Sequence, residues 1–211
     1  MAKVVTMGEI MLRLSPPGYQ RFAQASEFEI NYGGAEANVA VSLAQLGHDV
    51  TYISKIPSNA IGEAAIATLK KSGVDCRYIA RGGKRLGIYF LETGPRCVLR
   101  ALSMTERIRL LLRHQQKNLI LYQIFDGAEL FHVSGITPVL SEETARLTQD
   151  CFAKGKGTRC DNIVRLKLPC EIVDRRCERK AEDAFRADAV CRYLFRKCKR
   201  CCKVPGICRK R

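Results

Sequence analysis

No run of 18 or more apolar residues occurs in this 211-residue chain, so no transmembrane helix is expected. The opening MAKVVTMGEI has too short an apolar run, closed too soon by Glu9, to act as a secretory leader. Cysteine is scarce in residues 1–94, which hold only Cys76. That scarcity argues against a secreted disulfide scaffold there and favours a cytoplasmic setting. Histidine is absent from residues 158–211, which removes the usual nitrogen ligand of a mixed zinc site from that stretch.

What is present divides unevenly. Hydrophobic residues make up 46% of the chain, enough for a real core in one large domain or two small ones. The net charge is +15 and there are 11 cysteines. Residues 1–94 carry 10 basic and 8 acidic side chains, a mild balance. Residues 158–211 carry 17 basic and 7 acidic side chains and eight of the cysteines. Residues 95–121 are also basic, with 6 basic side chains and 1 acidic. Residues 122–157 carry 3 basic and 5 acidic side chains, so two segments read as an ordinary enzyme and two as foreign to it.

Hydrophobic periodicity supplies the fold class. VVTM from Val4 reads as a buried strand that turns at Gly8, and Met11, Leu12 and Leu14 suggest a second short strand. SPPGYQ breaks it, and FEINYGG forms the next. AEANVAVSLAQLG is a helix with Val39, Leu43 and Leu46 at helical spacing and Gly47 as its stop. DVTYISKI is a strand, and a helix follows from Ala60 to Gly73. LGIYFLET is a strand with Ile88 and Phe90 on one face, Tyr89 and Leu91 on the other. ELFHVSGITP is a strand running into a loop. SEETARLTQDCFAKG is a helix opened by Ser141, with Glu142 and Glu143 in its first turn. Strands alternating with helices indicate an α/β fold with a mostly parallel sheet. The strands at 9–32 and 85–92 lack helices between neighbours and suggest a small antiparallel appendage. RCVLRALSMTERIRLLLRHQQKNLIL scans as a basic amphipathic helix, exposed or partner-binding.

The chemically informative stretch is YGGAEANVAVSLAQLG. A glycine pair at a helix start lets a ligand approach backbone N–H groups, and Asn38 places an amide nearby. This suits an anionic, polyhydroxylated molecule. A tight strand-to-helix turn needing glycines only for packing explains the same spacing, and spacing alone favours that plainer explanation.

The same stretch resembles the N-terminal signature of the ribokinase-like (PfkB) sugar kinases. VVTMGEIMLRLSPP, RLGIYFLETG and IFDGAELFHVSGITPVLSEE resemble one branch, the 2-keto-3-deoxygluconate kinases, in the expected order. The resemblance covers residues 1–95 and 122–157. It implies a ribokinase-like parallel-sheet core with a small β-sheet lid, incomplete here, and ATP- and Mg-dependent phosphorylation of a sugar acid to its 6-phosphate. It implies substrate contacts at Gly34, Ala35, Glu36, Ala37 and Asn38 of the loop, Tyr89 of the lid and Ile136 of SGITP. The implied partner is a small-molecule sugar acid. No membrane or specific nucleic acid is expected, and a homo-oligomer is compatible with the family.

Departures from the family pattern are equally specific. The YDRxxSA, DxNYR and GAGD elements of the family are absent; the resemblance implies that with YDRxxSA go a tyrosine and an arginine that grip the substrate carboxylate, and with GAGD the phosphate-binding amides and the general-base Asp. No catalytic residue is therefore assigned, and this chain is expected to be inactive as a kinase. Codons read out of register explain both basic segments. Residues 103–120, shifted by one base, permit YDRADSAIAAAPAEEFD, which contains the missing YDRxxSA. Residues 187–203, shifted the other way, permit QMLYADICFANAKDAAK, similar to a family strand. Residues 1–157 then form the N-terminal part of a kinase domain interrupted at 95–121, and 158–211 form a tail that is not a native domain. The rival is a zinc or nucleic-acid module built on Cys198, Cys201, Cys202 and Cys208. Adjacent Cys201 and Cys202 point apart and suit one tetrahedral site poorly. His48 is expected at an exposed turn and His132 as a satisfied core histidine. Glu9, after the first strand, is a candidate for a substrate-side role.

Overall fold

The computed structural model describes residues 1–92, 114–135, 137–140, 142–157 and 160–165. Among the described residues five strands build a parallel sheet: β1 (Lys3–Met7), β4 (Asp49–Ile56), β5 (Ile79–Arg81), β7 (Leu130–Ser134) and β8 (Asp161–Arg165), in the order β5-β4-β1-β7-β8. β1 is central, which is why it reads as a nearly continuous apolar run rather than an alternation. Successive residues point to opposite faces. Val4 packs with Ala37, Ala40, Ala65 and Leu69, whereas Val5 and Met7 pack with Leu121, Phe125, Phe131 and Phe152. Helices α1 (Ala35–Gln45) and α2 (Ala60–Lys71) cover the first face. Helices α3 (His114–Phe125) and α5 (Glu142–Gly157) cover the second, and a single turn, α4 (Thr137–Leu140), precedes α5.

Local chemistry sets the helix ends. Asn59 caps α2, its side chain accepting the Gly62 N–H at 2.9 Å. Lys70 and Lys71 sit in the last turn, where positive charge suits the helix dipole, and Gly73 leaves it with φ 84°. α1 ends likewise, with Gly47 at φ 86°. Its buried face is Glu36, Ala37 and Ala40; of the stripe expected from Val39, Leu43 and Leu46, Leu43 packs against the core, Val39 is half-buried and Leu46 is 74% exposed.

Three further strands form a separate small sheet, β2 (Met11–Ser15), β3 (Glu29–Gly33) and β6 (Gly87–Phe90), in the order β3-β2-β6. The antiparallel appendage expected from the sequence is a mixed sheet. β2 pairs antiparallel with β3 but parallel with β6, to which the chain returns in the same direction as β2 after passing through β3, α1, β4, α2 and β5. Leu12 and Ile88 direct one face of this lid toward the core.

The basic helix read over 96–121 is helical from His114 onward; within those bounds Leu119 is 63% exposed and Leu121 is a core residue, and the helix runs on to Ile124 and Phe125, which are also in the core. Residues 96–113 and the Ser141 cap lie outside the described residues. β8 extends the sheet past residue 157, where the motif resemblance stops, and Cys160 is buried in the core beside it. No helix among the described residues is long and apolar enough to cross a membrane.

Candidate functional site

In an open parallel sheet a ligand crevice forms beyond the carboxyl ends of the strands, where the chain order reverses. Here that point is β1. The chain leaves it toward β4 on one side and returns to β7 on the other. At this end lie Gly8 and Glu9 just beyond β1, Ser134 as the last residue of β7, and the start of α1.

Gly8 is held rigidly. Its carbonyl accepts the Tyr52 hydroxyl at 2.9 Å and the Ser54 hydroxyl at 2.8 Å, and its N–H donates to the Ile53 carbonyl at 3.2 Å. Burial, then the nearby Glu36 charge, keeps the Tyr52 phenol protonated as a donor. A side chain at Gly8 would meet the Glu36 carboxylate at 2.3 Å, so any larger residue there would displace Glu36. Glu36 is buried, and its Oε1 accepts the Ser134 N–H at 2.8 Å and the Thr137 hydroxyl at 2.9 Å. It ties the first turn of α1 to the end of β7.

Glu9 follows as a half-buried carboxylate. Burial first, then the Glu36 charge, raises its pKa from an ordinary 4.5 to about 7. A Cβ at Gly87 of the lid would lie 2.8 Å from Glu9 Oε1, and one at Gly33 would lie 3.2 Å from Asn38 Oδ1. Gly33, Met11 and Gly87 are in register across the lid, so Glu9 and Asn38 occupy the space that side chains at the two glycines would fill. The next row on the same face is Asn31, Arg13 and Tyr89. The site is therefore roofed by one lid face and closed below by the start of α1.

The residues proposed from the sequence separate on this geometry. Gly34 packs so close to Glu9 that a Cβ would sit 2.0 Å from the Glu9 carbonyl oxygen. Ala35 and Asn38 are exposed at the helix start, and Tyr89 is half-buried on the lid face that Asn38 approaches. Glu36 and Ala37 are 3% and 1% exposed, one clamping the loop through hydrogen bonds and the other packing in the core. Ile136 lies outside the described residues. His132 is buried on β7, as expected, and His48 is partly buried, its Nδ1 accepting the Ala2 N–H at 3.4 Å. Arg13 and Asn31 escaped sequence reasoning because only strand register sets them beside Tyr89. Among the described residues no group of three or more His, Cys, Asp or Glu side chains could hold a metal ion.

Comparison with known proteins agrees with this architecture. A family model described as pfkB family carbohydrate kinase matches residues 1–184, crossing residues 95–121 and extending beyond 157. The chain is 33% identical over 171 residues to 2-dehydro-3-deoxygalactonokinase of Haloferax volcanii, covering 79% of this chain and 54% of that protein. It is 29% identical over 174 residues to 2-dehydro-3-deoxygluconokinase of Bacillus subtilis, covering 78% of this chain and 52% of that protein. The crystal structure of 2-dehydro-3-deoxygluconokinase from Thermotoga maritima matches with a TM-score of 0.79 at 39% identity, over 88% of this chain and 57% of that one. The chain spans about half the length of the curated relatives it matches over most of its own length.

Proposed function

Since the chain belongs to the pfkB family of carbohydrate kinases, we propose that it carries the acceptor-binding part of an ATP-dependent sugar-acid kinase acting on 2-keto-3-deoxygluconate. The product of the complete reaction is the 6-phosphate. The observation that carries this reading is the convergence of Asn38, the Gly33–Gly34 turn and Tyr89 around one lid face at the end of β1. An amide, a phenol and backbone donors suit hydroxyls and a carboxylate, whereas a fatty or aromatic ligand would leave them unpaired.

The nucleotide half fits this chain poorly. The sequence has no GAGD loop, and the described residues include no carboxylate cluster suited to Mg. ATP and Mg supply the phosphoryl group and its charge neutralisation in such kinases, but no residue here is assigned to hold them. Gly34, Ala35, Glu36, Ala37, Asn38, Tyr89 and Ile136 remain the proposed acceptor-side set, with Glu36 and Ala37 acting by shaping the loop. The partner is a small sugar acid rather than a membrane or a specific nucleic-acid sequence.

Two assays on the purified chain test this. Thermal denaturation with and without 2-keto-3-deoxygluconate should show a ligand-dependent rise in the unfolding midpoint. An ATP-coupled assay should show no phosphorylation. Absence of any thermal shift at saturating sugar acid would overturn the acceptor assignment, and measurable turnover would overturn the predicted inactivity.

A further inference from the structure

Arg13 sits at the centre of the lid, between Asn31 and Tyr89 in register. Its neighbours along β2, Leu12 and Leu14, face the opposite way, and both pack with the core on that side. Arg13 therefore faces the site, one row beyond the glycines over which Glu9 and Asn38 lie. That row lies about 7 Å along the strand from them. Among the described residues, buried Arg13 Nε has no hydrogen-bond acceptor and Arg13 forms no ion pair. Ser15 Oγ, next on the same face, is likewise buried and without a partner among the described residues. A buried guanidinium N–H without an acceptor is costly, and native structures keep few of them. Among the described residues, the carboxylates on this face are Glu9 and Glu29, and neither pairs with Arg13.

The geometry points to Arg13 as the residue that receives the carboxylate of the acceptor and so selects sugar acids over neutral sugars. This rests on the acceptor-binding reading above. A planar guanidinium offers a carboxylate two parallel N–H donors, a match that a neutral hydroxyl cannot use equally. Tyr89 and Asn31, on either side, are placed to take the adjacent oxygens. The Arg13 side chain comes from the first 95 residues, so this contact does not depend on the absent YDRxxSA element.

The test uses the full chain and isothermal titration with two ligands, 2-keto-3-deoxygluconate and the neutral ketose fructose. Arg13→Gln should weaken binding of the acid by roughly 10- to 100-fold, the range for losing hydrogen bonds to a charged group. Fructose affinity should change less than about twofold. Arg13→Lys, which keeps the charge but not the fork, should fall between. The Arg13 Nε–H nuclear magnetic resonance, assigned by its loss in Arg13→Lys, should shift on adding the acid and stay in place with fructose. A merely structural arginine would not give that response. Equal losses for both ligands, or acid binding unchanged in Arg13→Gln, would overturn the assignment of Arg13 while leaving the acceptor site standing. A wild-type chain that binds neither ligand would remove both.

Discussion

Glu9→Gln should stabilise this protein at alkaline pH and leave it unchanged in acid. The Glu9 carboxyl is held at about 7, against an ordinary 4.5, first by burial and then by the Glu36 charge. At roughly 1.4 kcal/mol per pH unit, that difference corresponds to about 3 kcal/mol, which is an upper figure for a half-buried group. Between pH 4.5 and 7 the folded chain keeps a proton that the unfolded chain has released. Stability therefore falls as pH rises through that window. Below about 4.5 both states are protonated and the penalty vanishes. Above 7 both are ionised and it is fully present. Glutamine keeps the shape and cannot ionise. Urea denaturation followed by circular dichroism at pH 4.5 and pH 8 measures the difference. The variant should exceed the parent by about 1–3 kcal/mol at pH 8 and match it within about 0.5 kcal/mol at pH 4.5. Parallel pH profiles for the two proteins would refute the burial of Glu9 beside Glu36.

The other expectations use the same region. Gly34→Ala should lower the unfolding midpoint sharply, because its Cβ would sit 2.0 Å from a backbone oxygen that cannot swing aside. Gly83→Ala, which meets nothing within 4 Å but has φ 93°, should cost only about 1 kcal/mol from backbone strain. Glu36→Ala leaves the Ser134 N–H and Thr137 hydroxyl without their acceptor and should cost about 2–4 kcal/mol in urea denaturation. It should also lower the Glu9 pKa, followed by its carboxyl carbon shift, since one of the two causes of the rise is removed. Sequencing the coding DNA across codons 95–122 and 157–211 should reveal changes of register, and an uninterrupted frame with peptides spanning residues 110–117 would count against them.

Much of the core was legible because β1, β4 and β7 carry apolar runs and the helices between them end at Gly47 and Gly73. The lid was legible as strands but not in its pairing. Direction depends on the path the chain takes between β2 and β6, which periodicity does not report. The Gly33–Gly34 turn was visible as spacing, yet spacing could not choose between packing and binding. Both hold, since Gly34 packs on Glu9 while Gly33 leaves room for Asn38. Glu36 looked like a ligand-facing loop residue, and only the fold buries it against Ser134 and Thr137. The boundary at residue 157 followed from where recognisable motifs stop. The physical sheet continues into β8, because β7 has a free edge that the next strand can pair with whatever its motif.

Binding of 2-keto-3-deoxygluconate at the lid tests the central claim most directly. Isothermal titration of the chain should give a saturable one-to-one isotherm, weakened about tenfold or more by Asn38→Ala and by Tyr89→Ala, each of which removes a hydrogen-bonding group facing the site. A flat titration, or one that both substitutions leave unchanged, would contradict it.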